Sequence, residues 1–187
     1  MTRTKAAKAK GARKATAKVK AAPTAVELQA VRDLLQREGD RGAVLICAAF
    51  LEDQLGAMLK AYFHNDISAG VLVDGFNAPL GNFSSRTRAA HALGLITDVQ
   101  FDGLEVLREV RNRLAHDWDV HSLEDPRLVE LVIRMPSTRW GVPIPREASP
   151  SLHFRQACHC LLVEMHIHAG ANVPRFKLQM QAFQISL

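Results

Sequence analysis

The chain has 187 residues, enough for one domain with its own core plus some tail. Hydrophobic residues make up 48% and aromatics only 6%, a balance that suits an Ala/Leu/Val-rich helical protein and disfavours a β-sandwich or barrel. The net charge of +5 is unevenly spread: eight of the 24 basic residues lie in the first 20 positions, which hold no acid, leaving 16 bases against 19 acids in a mildly acidic remainder.

That opening stretch, residues 1–22, is a low-complexity Lys/Ala segment with clustered like charges and no apolar stripe. It reads as a disordered tail. Lys5, Lys8, Lys10, Arg13 and Lys14 make it either a non-specific electrostatic arm for nucleic acid or a solubilising extension. Composition does not separate the two.

Pro23-Thr24 opens a first helix over 24–38, closed by Gly39. A longer second helix runs from about Asp40 to Phe63, with apolar residues from Val44 to Phe63 at helical spacing. Its Glu52 and Asp53 are candidates to meet arginines from elsewhere. Residues 64–82 are crowded with turn formers (Asn65, Asp66, Gly70, Asp74, Gly75, Asn77, Pro79, Gly81) and predict an irregular connection with one helical turn at most. Ser84 or Ser85 then caps a third helix that stops near Gly94. Arg86 and Arg88 flank its start and read as a solvated face rather than an anion site. Thr97 and Gln100 have capping-box spacing and start a fourth helix over 98–116.

Beyond Pro126 the pattern weakens. Leu128–Ile133 suits a short strand or a helical turn, 136–150 is a Pro-rich loop, and a last helix spans about 151–169. Residues 171–187 read as a tail. No internal repeat is legible, and no stretch reads as ~20 apolar residues able to span a bilayer. With three cysteines and no secretory h-region, the chain reads as a soluble, reduced, cytoplasmic protein that avoids membranes.

The most informative segment ends the fourth helix: Arg111-Asn112-Arg113-Leu114-Ala115-His116, followed by Asp117-Trp118-Asp119. At 100° per residue Phe101, Leu104, Leu107, Leu114 and Ala115 form an apolar face, with Val110 at its edge and Arg111 pointing into it. Arg108, Asn112 and His116 line the adjoining flank at i, i+4 spacing. A guanidinium can clamp a phosphate bidentately, an imidazole can move a proton near neutral pH, and an amide can orient either. That set suffices for metal-free RNA cleavage. Two readings stay open at this point. In the first, Arg111 pairs with Glu52 or Asp53 and His116 caps the helix end. In the second, Arg111, Asn112 and His116 are catalytic, against repulsion of a nucleic-acid backbone by Asp117 and Asp119. Structural pairing is the first expectation.

Cys158-His159-Cys160 with His153, His166 and His168 invites a zinc reading. On a helix, however, the two cysteines lie about 200° apart, and core packing is expected instead of a metal site. No Gly-rich phosphate loop, Gly-x-Ser-x-Gly elbow or His-Glu-x-x-His is present, and no cofactor is expected.

Arg-Asn-x-x-x-His near the end of a helix in an all-helical domain resembles the signature of the HEPN superfamily, which includes metal-independent ribonucleases, toxins and non-catalytic binding modules. A fuller resemblance is to the bacterial mannitol operon repressor family. It rests on Phe50-Leu51-Glu52, Pro79-Leu80-Gly81-Asn82-Phe83-Ser84-Ser85-Arg86, His91-Ala92-Leu93-Gly94-Leu95-Ile96 and Val110 to His116, in that order, over roughly residues 26–135. The resemblance implies an all-α, antiparallel, HEPN-like bundle over residues 24–170. It implies a transcriptional repressor acting through a protein partner or a homodimer, and a non-catalytic role as the first expectation. No helix-turn-helix with a basic recognition helix is legible, so any DNA affinity would come from the tail. The alternative the resemblance carries is a toxin-like endoribonuclease.

Overall fold

A computed structural model describes residues 24–136 and 147–184, with side chains up to 168. The Lys/Ala tail and most of the Pro-rich 136–150 segment lie outside the described residues. What is described is all helical: α1 (Ala25–Arg37), α2 (Asp40–Tyr62), α3 (Asp66–Asp74), α4 (Phe83–Ala92), α5 (Asp98–His116), α6 (Pro126–Ile133) and α7 (Pro150–Gln184).

The starts are set by side chains that take the first free amides. Thr24 and Glu27 form a capping box at α1, and Thr97 and Gln100 form another at α5. The cap of α4 is Asn82, whose Oδ1 accepts from the Ser85 amide at 2.9 Å. The helix therefore starts before the serines that the sequence suggested. At the far end of α4, Gly94 takes φ +68° and the Leu95 amide reaches back to the Ala90 carbonyl at 2.9 Å. A left-handed residue there lets the chain close the helix without steric cost.

Three expectations need correction. Residues 64–82 do not form one irregular connection: Asn65 accepts from the Ser68 amide at 2.9 Å and starts α3, nine residues long, with Gly70 inside it. The cap and the buried pair Ala69 and Val73 outweigh the turn formers. Leu128–Ile133 belongs to a helix, because Asp125 caps it and Pro126 sits at a first-turn position, where its missing N–H costs nothing. The last helix does not stop at 169; the α7 backbone stays helical to Gln184.

The core surrounds α2, which packs on α1, α3, α4, α5 and α7. By length and composition alone α2 is long and apolar enough to cross a membrane, contrary to the sequence expectation. Its apolar character has another cause: Val44, Cys47, Leu51, Leu55 and Leu59 are fully buried among the neighbouring helices. Burial of such side chains contributes about 1.5–3 kcal/mol each and dominates the stability of a bundle like this. The end of α5 and the start of α7 both meet the start of α2, through Arg41 on the Leu114 carbonyl and through Ser151 and Arg155 on Asp40.

That shared starting point is a polar latch. Asp40, the first residue of α2, accepts from Ser122 Oγ at 3.0 Å, the Leu123 amide at 2.8 Å and Arg155 Nη2 at 3.1 Å. It also accepts from Ser151 Oγ. One carboxylate thus joins α2, the 122–123 loop and α7. Burial alone would raise its pKa, but the bonds from Ser151, Leu123, Ser122 and Arg155 together hold it below the ordinary carboxylate value.

Candidate functional site

Helix α5 carries the motif, and its buried stripe is turned from the one expected. Gly103, Leu104, Val106, Leu107, Val110 and Leu114 are buried, while Ala115 is exposed and Phe101 only partly covered. Val110 therefore sits in the middle of the packed face. Arg111 is left half-buried at its rim, not in the core.

No hydrogen bond or ion pair holds Arg111 among the described residues, so neither Glu52 nor Asp53 is its partner. Asn112 beside it is half-buried and His116 is exposed. Neither is engaged by a described side chain or carbonyl. Arg108, expected on the same flank, is not free: Glu105 holds it through Nε at 3.1 Å and Nη2 at 2.8 Å, one turn back. Arg113 bonds Glu109 at 3.1 Å and the Arg127 carbonyl at 2.7 Å.

The C-terminus of α5 needs cations or donors for its last carbonyls. His116 does not supply them. Arg41, in the first turn of α2, does: its Nε donates to the Leu114 carbonyl at 3.0 Å, and Nη2 reaches the same oxygen and the Asp117 carbonyl. With the helix end already capped, His116 faces solvent.

The following loop is equally braced. Asp119 meets Arg127 at 3.3 Å, and Arg127 also binds Asp125 at 2.8 Å. The Arg127 guanidinium holds the Asp125 carboxyl down at about 2. Asp119 is thus partly neutralised, which weakens the repulsion expected of it toward an anion. Between the braces Trp118 stands 82% exposed.

The arrangement is an unengaged Arg111, Asn112 and His116, with a presented indole nearby, on a helix end and loop fixed by Arg41, Asp40 and Arg127. Chemically it offers a guanidinium, an amide, an imidazole and an aromatic face to an acidic or phosphate-bearing partner. The tail residues Lys5, Lys8, Lys10, Arg13 and Lys14 lie outside the described residues.

The Cys/His segment on α7 is dispersed by its helix. Cys158 is fully buried, where burial and the hydrogen bond its S–H donates to Cys47 push its thiol up. Cys160 is half-buried and also raised, mainly by burial. His159 is lowered by burial and by Arg32. His168 Nδ1 lies 2.7 Å from Gln100 Nε2, and His153 Nε2 lies 3.3 Å from the Met135 carbonyl. Among the described residues no three metal-type ligands come together.

Arg86 is the largest departure from the sequence reading. Far from being solvated, it is 11% exposed. Its Nε donates to the Leu80 carbonyl at 2.9 Å, Nη1 to Glu52 at 2.9 Å and Nη2 to Val73 at 3.0 Å. It ties α4 to α2, to the end of α3 and to the loop between. The residues that sequence reasoning missed are Asp40, Arg41 and Arg86. Only Arg86 left a signal, as the last residue of the Pro79–Arg86 block.

In comparisons with known proteins, no family model matches the chain and no curated protein does. Among solved structures, a chain of the X-ray structure of the MtlR-HPr complex from Escherichia coli shares the fold, with a TM-score of 0.54 and 18% identity. The match covers 78% of this chain and 97% of that one. At that identity the likeness establishes a common helical fold.

Proposed function

We propose that the protein is a bacterial cytoplasmic transcription regulator of the mannitol operon repressor type, working through a protein partner. The observation that carries this reading is the fold shared with a chain of the MtlR-HPr complex over nearly all of that chain. The ordered sequence blocks from Phe50 to His116 point the same way. In this reading the α5 end is the partner surface, because Arg111, Asn112, His116 and Trp118 stand on a braced helix end and loop and have donors and an aromatic face to spare. HPr is the first partner to try. The basic tail would add salt-sensitive attraction to DNA. Calorimetric titration with HPr should give saturable binding that Trp118→Ala weakens at least tenfold, and deleting the gene should raise mannitol-operon transcription. Absence of both effects contradicts the reading.

One observation favours a second reading. Arg111, Asn112 and His116 are free of structural duty, as a metal-independent ribonuclease of the HEPN type would need: His116 would move the proton, Arg111 clamp the phosphate and Asn112 orient it. Cleavage of RNA in EDTA that His116→Ala abolishes would establish it. Intact RNA after prolonged incubation removes it.

A further inference from the structure

Towards the other end of α2, helix α3 packs only one side. Ala69 and Val73 face the core, while Ile67 is 77% and Val71 63% exposed. Phe76, two residues past the helix, is 99% exposed. At 100° per residue Ile67, Val71 and Gly70 share the outward face. A Cβ built on Gly70 would meet nothing within 4 Å.

These features belong together. A glycine inside an exposed helix costs about 1 kcal/mol relative to alanine, and Gly70 fills no packing need within this chain. A small residue on an outward helix face leaves room for a second backbone to come close. Phe76 is not on a loose loop. Asn77 takes φ 55°, the Ala78 amide bonds the Gly75 carbonyl at 3.0 Å, and the Leu80 amide bonds Leu72 at 2.9 Å. Arg86 grips Val73 and Leu80 on either side. An aromatic presented on a fixed support loses little entropy on docking.

We propose that α3 is a homodimer surface, two copies crossing antiparallel about a twofold axis near Gly70, with Phe76 of each laid on the other's Ile67 and the two Val71 side chains meeting beside the axis. The patch suits itself. An antiparallel crossing brings Asp66 of one copy over the Asp74 end of the other. There Lys60 at 2.6 Å and Arg86 at 3.7 Å outweigh the single carboxylate. The three apolar side chains expose roughly 400 Å². Doubled and rimmed by polar atoms, that reaches the ~1,000 Å² a specific interface needs. The surface is separate from the Arg111–His116 rim, so its failure would leave that reading intact.

The test is sedimentation velocity and light scattering on the full chain up to about 100 µM. The wild type should reach twice the 20.7 kDa chain mass. Phe76→Asp and Gly70→Leu should each weaken dimerisation by roughly a hundredfold or more. Gly70→Leu removes a helix-weakening glycine, so its denaturation midpoint should stay or rise, which separates lost pairing from lost folding. In a Cys160→Ser background, Gly70→Cys should form a covalent dimer when oxidised with diamide. A wild type that stays monomeric overturns the proposal, as does a dimer indifferent to Phe76→Asp and Gly70→Leu.

Discussion

Arg86 and Arg111 are arginines on neighbouring helices, and they differ in what their donors meet. Around Arg86, three main-chain carbonyls from three segments converge on one guanidinium. Around Arg111, nothing among the described residues does. A planar group with five fixed donors is costly to bury unsatisfied. The first arginine is therefore part of the frame, and the second is held in reserve at the rim. Side-chain identity says nothing about this difference; the number of converging acceptors says all of it.

The comparison breaks most sharply under deletion. Arg86→Ala strands the Leu80, Glu52 and Val73 carbonyls and should cost about 3–5 kcal/mol in urea denaturation. A loss below about 1 kcal/mol would mean the carbonyls find water instead.

Asp40→Asn comes next, at about 2–3 kcal/mol, since one amide cannot satisfy the four donors now shared by two carboxylate oxygens. It also has a pH signature. Because the folded carboxyl titrates below its ordinary value of 3.8, its stabilisation is complete above that value and lost as pH falls through the lower folded pKa. The variant should lose this acid-limb dependence, and melting curves between about pH 2 and 6 would read the flattening.

Gly56→Ala is the smaller probe. A Cβ there would meet Arg86 Nη1 at 3.0 Å and Cζ at 3.2 Å. Crowding the guanidinium off its carbonyls should offset the helix gain of alanine and leave a net loss of about 1 kcal/mol. A stabilised variant would show that the Arg86 network tolerates displacement.

Much of the frame was legible because local signals agreed: the Thr97–Gln100 capping box, the 3.6-residue period of α2 and the Gly94 stop each set an element correctly. Helix α3 was hidden because its cap, Asn65, stands among turn formers that look the same in sequence, and only tertiary burial of Ala69 and Val73 decides between them. The motif was legible as residues but not as roles. An apolar face that includes Ala115 points Arg111 into the core; with Ala115 exposed and Val110 central, the buried stripe is rotated and Arg111 lies at the rim. In sequence His116 is the natural cap of α5, because Arg41, which takes that place, lies 73 residues from Leu114.

In the proposed function Arg111 serves a partner and not the fold. The most direct measurement pairs two readouts on Arg111→Ala: the urea midpoint and the calorimetric affinity for HPr. Stability should stay within about 1 kcal/mol of wild type while binding falls at least roughly tenfold. A loss of about 3–5 kcal/mol, the mark of a broken buried ion pair, or an unchanged affinity for HPr, would contradict it.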